Sequence, residues 1–162
     1  MANSFAATFE RRGPVIFAIA VLLAYLGFAL RVFAHATENQ WDIGALYSAV
    51  FDTASMNAAF LFSFFVFIKT TTNDFLAAFR KEPAYNVLMR HFKWSITSSF
   101  VLALVTIFCL VTTPHPHFVT EPNFWLMAAW FTFVAYVIAA TVRSAYQFVA
   151  VLDAAYSKRF GA

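Results

Sequence analysis

The chain has 162 residues, of which 62% are hydrophobic, 20% aromatic and 12% charged, with 22 Phe and a mean hydropathy of +0.70. A water-soluble domain of this size cannot hide that much apolar surface, and none of the apolar spans keeps the polar face of a soluble amphipathic helix, so a soluble helical bundle is not expected. The net charge of +3 sits beside apolar segments, which makes it a signal for anionic lipid and topology, not for nucleic acid.

Four apolar spans are read, at Pro14 to Ala34, Ile43 to Ile68, Ser95 to Thr113 and Asn123 to Arg143. Each meets the roughly 20 residues needed to cross about 30 Å of hydrocarbon as a helix. The expected fold is therefore an all-α four-transmembrane-helix bundle in one domain. Before span one, Arg11 and Arg12 precede a run ending in Ala34-His35-Ala36, which resembles a signal-peptide cleavage site. The length of the run and Arg31 just before the cut favour a retained transmembrane helix.

Glu38, Asn39, Gln40, Trp41 and Asp42 make a short loop to span two, with Trp41 as an interfacial anchor. Span two carries the sharpest pattern. Gly44, Ser48, Asp52, Ser55, Ala59 and Ser63 recur every three or four residues and share one helical face. Small residues permit close helix packing in lipid, and this face is read as a helix-packing or oligomer surface. Ala20, Ala24, Gly27 and Arg31 form a similar stripe on span one. Asp52 is the only acidic residue within a span. Measured from the span centres, Asp52 and Arg31 lie about 6 Å and 10 Å toward the same side, so a buried ion pair between spans one and two is expected.

The segment from Thr70 to Trp94 predicts two short basic amphipathic helices. Asn73 or Asp74 caps the first, which carries Phe75, Leu76 and Phe79 and ends in Arg80 and Lys81. Pro83 opens the second, which carries Tyr85, Leu88, Met89 and Phe92 beside Arg90 and Lys93. This platform either shapes an interfacial loop or presents a surface to a cytoplasmic partner. His91, between Arg90 and Lys93, is read as solvated. Cys109, the single cysteine, excludes an intrachain disulfide and reads as a packing residue in span three.

Asn123 is taken as the N-cap of span four. No Gly or Pro interrupts the sequence through Ser157, so this helix is expected to project about 20 Å beyond the membrane. Tyr146, Val149, Ala150 and Asp153 fall on one side of that projection, which would meet the platform.

Orientation follows from the cations. Ten of them, Arg11, Arg12, Lys69, Arg80, Lys81, Arg90, Lys93, Arg143, Lys158 and Arg159, fall on one side of the spans, and Arg31 alone on the other. This bias places both termini and the central loop in the cytoplasm of a bacterial-type inner membrane facing an anionic leaflet.

His35, His115 and His117 gather near the outer side and are weak candidates for metal ligands; prolines flanking His115 disfavour regular ligand geometry. No histidine lies mid-span, so a transmembrane haem is not expected, and neither is any other cofactor. No nucleophile with a base, paired carboxylates or phosphate-cradling glycine loop is present, and enzymatic activity is not expected. The run Phe60, Phe62, Phe64, Phe65 and Phe67 could line a ligand or quinone pocket, but lipid-facing and helix-packing phenylalanines explain it without a ligand. The reading that results is a self-associating inner-membrane sensor, anchor or regulatory subunit for a cytoplasmic partner. A second reading is an oligomeric channel or pore-forming effector, as in a toxin or phage-defence setting, with span two lining the path and Asp52 setting cation preference. A third is an accessory subunit of a respiratory or photosynthetic complex.

Overall fold

Helix ends leave backbone groups without intrahelical partners, and two boundaries of this chain are settled by side chains that supply them. The Asp42 carboxylate accepts from the backbone N–H of Ala45 at 3.0 Å and starts a helix that runs to Thr70. At its far end the Arg80 guanidinium donates to the carbonyls of Ile68, Lys69 and Thr71 at 2.7–2.9 Å. The computed structural model describes residues 2–39, 42–72, 80–81, 83–112 and 122–160. All secondary structure among them is helical: α1 is Ala2–Glu38, α2 Ile43–Thr70, α3 Pro83–Thr112 and α4 Pro122–Phe160. Each of these four contains a segment long and apolar enough to cross a membrane.

Two helix boundaries differ from the sequence reading, and α1 extends before the apolar span read from Pro14. Pro14 does not begin α1 but lies inside it, where its ring nitrogen cannot donate to the carbonyl of Glu10. Pro83 does begin a helix, as its fixed φ favours. That helix continues unbroken through Thr112, so the second platform helix is the first part of α3 and not a separate element. Asn123 is not a cap: Pro122 already occupies the first helical position of α4. Residues 73–79, including Phe75 and Phe79, lie outside the described residues, as does the first platform helix read there.

Helix α3 stands between α2 and α4, and α1 packs on α4. Composition explains this order. Ser95, Ser99, Ala103 and Thr106 follow one another at helical spacing on α3 and are all buried, which lets two neighbours approach one backbone. Of the apolar segment of α3, 44% is buried within the chain, against 11% for α1, so α1 is the peripheral helix. Its buried residues, among them Ala18 and Ala29, are small, and its main anchor is Tyr25. The phenol donates to the Phe124 carbonyl at 3.1 Å, and the ring packs on Phe124 and Phe131.

Two apolar clusters fill the interior. One gathers Tyr47, Leu102, Cys109, Met127 and Trp130, with the Tyr47 and Trp130 rings edge to face at 4.8 Å. The other joins Leu61, Ile68, Leu88, Phe92 and Ile96 at the opposite end, with Phe64 and Phe148 packed against it. Phe64 alone of the Phe60 to Phe67 run meets the aromatic rings of both α3 and α4, at Phe92 and Phe148.

Candidate functional site

Between the two clusters lies a belt of neutral polar groups. The amide of Asn57 on α2 donates to Ser99 Oγ on α3 and to Thr141 Oγ1 on α4, both at 2.8 Å. The Thr141 hydroxyl in turn donates to the Val137 carbonyl at 3.0 Å. One turn nearer the 69–93 end, Ser95 Oγ and Ser144 Oγ stand 2.8 Å apart and share the Ala140 carbonyl. Toward the other end, Trp130 Nε1 donates to Thr106 Oγ1 at 2.9 Å. Ser95, Ser99, Thr106 and Ser144 are fully buried. Interhelical hydrogen bonds of this type contribute roughly 0.6–1.7 kcal/mol each in a bilayer. Their directionality fixes the rotation and axial register of three helices at once. These hydrogen bonds join neutral groups to one another, so the belt ties the bundle without an ion.

None of these belt residues was singled out from sequence. The signal was present for α3, whose Ser95, Ser99 and Thr106 obey the same spacing test applied to α2. Asn57, the one side-chain amide of α2, was hidden by the more conspicuous Asp52 five residues earlier.

Asp52 and Arg31 are not brought together. Both are exposed, and no described side chain pairs with either of them. The reason is the position of α1. Tyr25 is level with the middle of 124–131, Trp130 is level with Tyr47, and at 1.5 Å per residue Arg31 lies roughly 20 Å above Asp52 along the bundle. No arginine spans that distance. The small-residue stripes also face away from the chain's own core. On α2 the buried residues are Tyr47, Ala54, Ala58, Leu61 and Ile68; at ~100° per residue, the stripe from Gly44 to Ser63 is centred about 130° from them. Ser48, Asp52, Ala59 and Ser63 are exposed, with Gly44 and Ser55 half-buried. Ala20, Ala24 and Gly27 on α1 are likewise exposed, and a Cβ added at Gly27 would meet nothing within 4 Å.

The 69–93 end is basic and aromatic. His91, expected in solvent, is half-buried and its Nδ1–H donates to Gln147 Oε1 on α4. Together with Phe148, Gln147 is where α4 meets α3; Tyr146 and Val149, expected at that contact, are exposed. Arg80 is not a free platform cation, because the α2 carbonyls hold it. Lys81 is exposed. Tyr85, Arg90 and Lys93 line one cavity of about 250 Å³ with Lys69, Asn86 and Met89.

At the opposite end, His35 Nδ1 lies 4.0 Å from Glu38, and the Asn39 amide donates to the His35 carbonyl at 2.8 Å. His115 and His117 lie outside the described residues. Among the described residues no three His, Cys, Asp or Glu side chains converge as metal ligands. No protein-family model, curated protein or solved structure matches the chain.

Proposed function

We propose that the chain is a non-enzymatic subunit of an inner-membrane assembly. Its four helices span the bilayer, both termini and the 69–93 end face the cytoplasm, and it self-associates while serving as sensor, anchor or regulator for a cytoplasmic partner. One observation carries this reading: Asp52, the sole carboxylate in the four apolar segments, stands exposed on the outward stripe of α2. A carboxylate facing hydrocarbon costs at least a few kcal/mol, so this face is covered in the working assembly. The small side chains around Asp52 admit a second helix backbone closely. Ser48 and Ser55 of a neighbouring copy are the hydroxyl donors that a carboxylate at this depth requires. The cations Lys69, Lys81, Arg90 and Lys93, all exposed at one end, support the cytoplasmic placement.

The test is the mass of the protein in nanodiscs after purification from its native membrane. Wild type is expected as a homo-oligomer, alone or with a cytoplasmic protein bound, and Asp52→Lys as a monomer. A monomeric wild type overturns the reading.

The same face supports a channel as the second reading, because the outward stripe carries hydroxyls beside the carboxylate. An oligomer that turned α2 inward would line its axis with Ser48, Asp52, Ser55 and Ser63. Cation conductance in planar bilayers that Asp52→Asn abolishes would decide for it.

A further inference from the structure

The cavity at the 69–93 end has a composition that ordinary helix chemistry does not explain. Lys69, Arg90 and Lys93 line it together with Tyr85, Asn86 and Met89. Cations close to the end of α2 would normally serve its C-terminal carbonyls. Here Arg80 already donates to Ile68, Lys69 and Thr71, which leaves the three lining cations without that role. Nor do they answer a carboxylate among the described side chains. Glu38, Asp42 and Asp52, the acidic side chains described, all belong to the other half of the bundle, and none pairs with them. Lys69 lines the cavity, and its ammonium lies 5.6 Å from the centre of the Phe65 ring on the preceding turn, a contact that leaves the charge without a carboxylate counterpart there. Two lysines and an arginine lining one recess together with an amide and a phenol form a set that matches a multiply charged oxyanion.

The surroundings give its depth. Trp94, next to Lys93, is 63% exposed, the placement of an indole at the headgroup level. Toward the bundle middle, exposed Phe62 lies seven residues before Lys69 and exposed Phe100 seven residues after Lys93. That spacing is about two turns, so each ring shares a helical face with its cation. An apolar rail therefore leads away from the cationic recess into the depth that acyl chains occupy.

We propose that this cavity binds a phosphate-bearing anion, with the headgroup of an anionic glycerophospholipid in the inner leaflet as the source that also fills the rail. The site rests on the membrane placement given under Proposed function. It makes that placement selective: the protein holds a particular lipid at the end where a cytoplasmic partner would arrive, and so couples lipid charge to the platform.

Native mass spectrometry of the full chain, offered phosphatidylglycerol or phosphatidylcholine, tests the site. Wild type is expected to retain phosphatidylglycerol preferentially. The combined substitution Lys69→Gln, Arg90→Gln and Lys93→Gln should weaken retention roughly 100-fold, at about fivefold for each cation. Since all three side chains are exposed, glutamine leaves the fold intact; unchanged circular dichroism confirms this, and Arg90→Gln alone should still weaken retention about fivefold. Arg12→Gln with Lys81→Gln, which removes two cations outside the cavity, should change retention little. Equal retention of the two lipids, or equal losses in the two combined variants, overturns the site. An adduct with inorganic phosphate in lipid-free detergent, without a preference among lipids, keeps the anion site and overturns the lipid source. Flotation with liposomes separates the two levels: protein that fails to float refutes the membrane reading, whereas protein that floats without lipid preference refutes the cavity alone.

Discussion

Asn57 Nδ2 on α2 and Ser99 Oγ on α3 meet at 2.8 Å near the middle of both helices, and the same amide reaches Thr141 on α4. One side chain thereby ties three helices. Asn57→Ala should lower the unfolding free energy by about 1–2 kcal/mol, the sum of two interhelical bonds in lipid. Because Ser99 and Thr141 are then already unpartnered by the amide, Ser99→Ala added to Asn57→Ala should cost less than it does alone. Denaturation in mixed micelles measures both. Strict additivity would remove the belt as a coupled unit.

Tyr47 and Trp130 lie edge to face in the same cluster, yet their polar atoms differ in a way that predicts opposite results. The Tyr47 hydroxyl is buried without a hydrogen-bond partner, whereas the Trp130 indole donates to Thr106. Tyr47→Phe removes an unsatisfied group and keeps the ring, so it should raise stability by about 1 kcal/mol. Trp130→Phe removes a satisfied donor and part of a buried ring, and should lower stability by about 1–3 kcal/mol. Unfolding of the two variants under one set of conditions checks the sign of each.

The contrast between Asp52 and Asn57 shows what the sequence could and could not supply. Helix number and type were legible because a run of some 20 apolar residues has few structural uses. The placement of the helices against one another was not. Periodicity groups Gly44, Ser48, Asp52 and Ser55 on one face of α2 but does not say whether that face meets α3, another subunit or lipid. The structure turns it outward and gives the core to Tyr47, Ala54, Ala58 and Leu61. Likewise, Asp52 and Arg31 are close in depth only if spans one and two are centred alike. The Tyr25 contacts with Phe124 and Phe131 set α1 higher, and span length alone carries no information about such a slide. At the 69–93 end, Arg80 was legible as a cation but not as a cap, because its targets lie 9 to 12 residues back in the chain.

The peripheral position of α1 gives a third prediction. Tyr25 supplies the hydrogen bond and the ring contacts that join α1 to the start of α4. Tyr25→Ala should loosen α1 while the belt keeps α2, α3 and α4 together. Ala18, buried on α1, reports the change: a cysteine introduced there by Ala18→Cys should label slowly in an otherwise wild-type chain and faster once Tyr25→Ala is added. The native Cys109, buried in the α2–α4 core, should stay unreactive in both. Simultaneous labelling of both thiols would mean that α1 is integral to the core.

Arg80 closes the last turn of α2 with three charge-assisted bonds to carbonyls that water would otherwise have to satisfy. Arg80→Ala should cost about 2 kcal/mol and speed amide exchange in the final turn of α2, with the first turn, held by Asp42, unaffected. Arg80→Lys should recover only part of the loss, since all three bonds come from Nη2 and the more strongly hydrated lysine ammonium ends on a shorter stem. Hydrogen exchange read by mass spectrometry resolves the two ends of α2. Equal protection in wild type and Arg80→Ala would show that the carbonyls are held by the helix alone and that Arg80 is interchangeable with the exposed cations beside it.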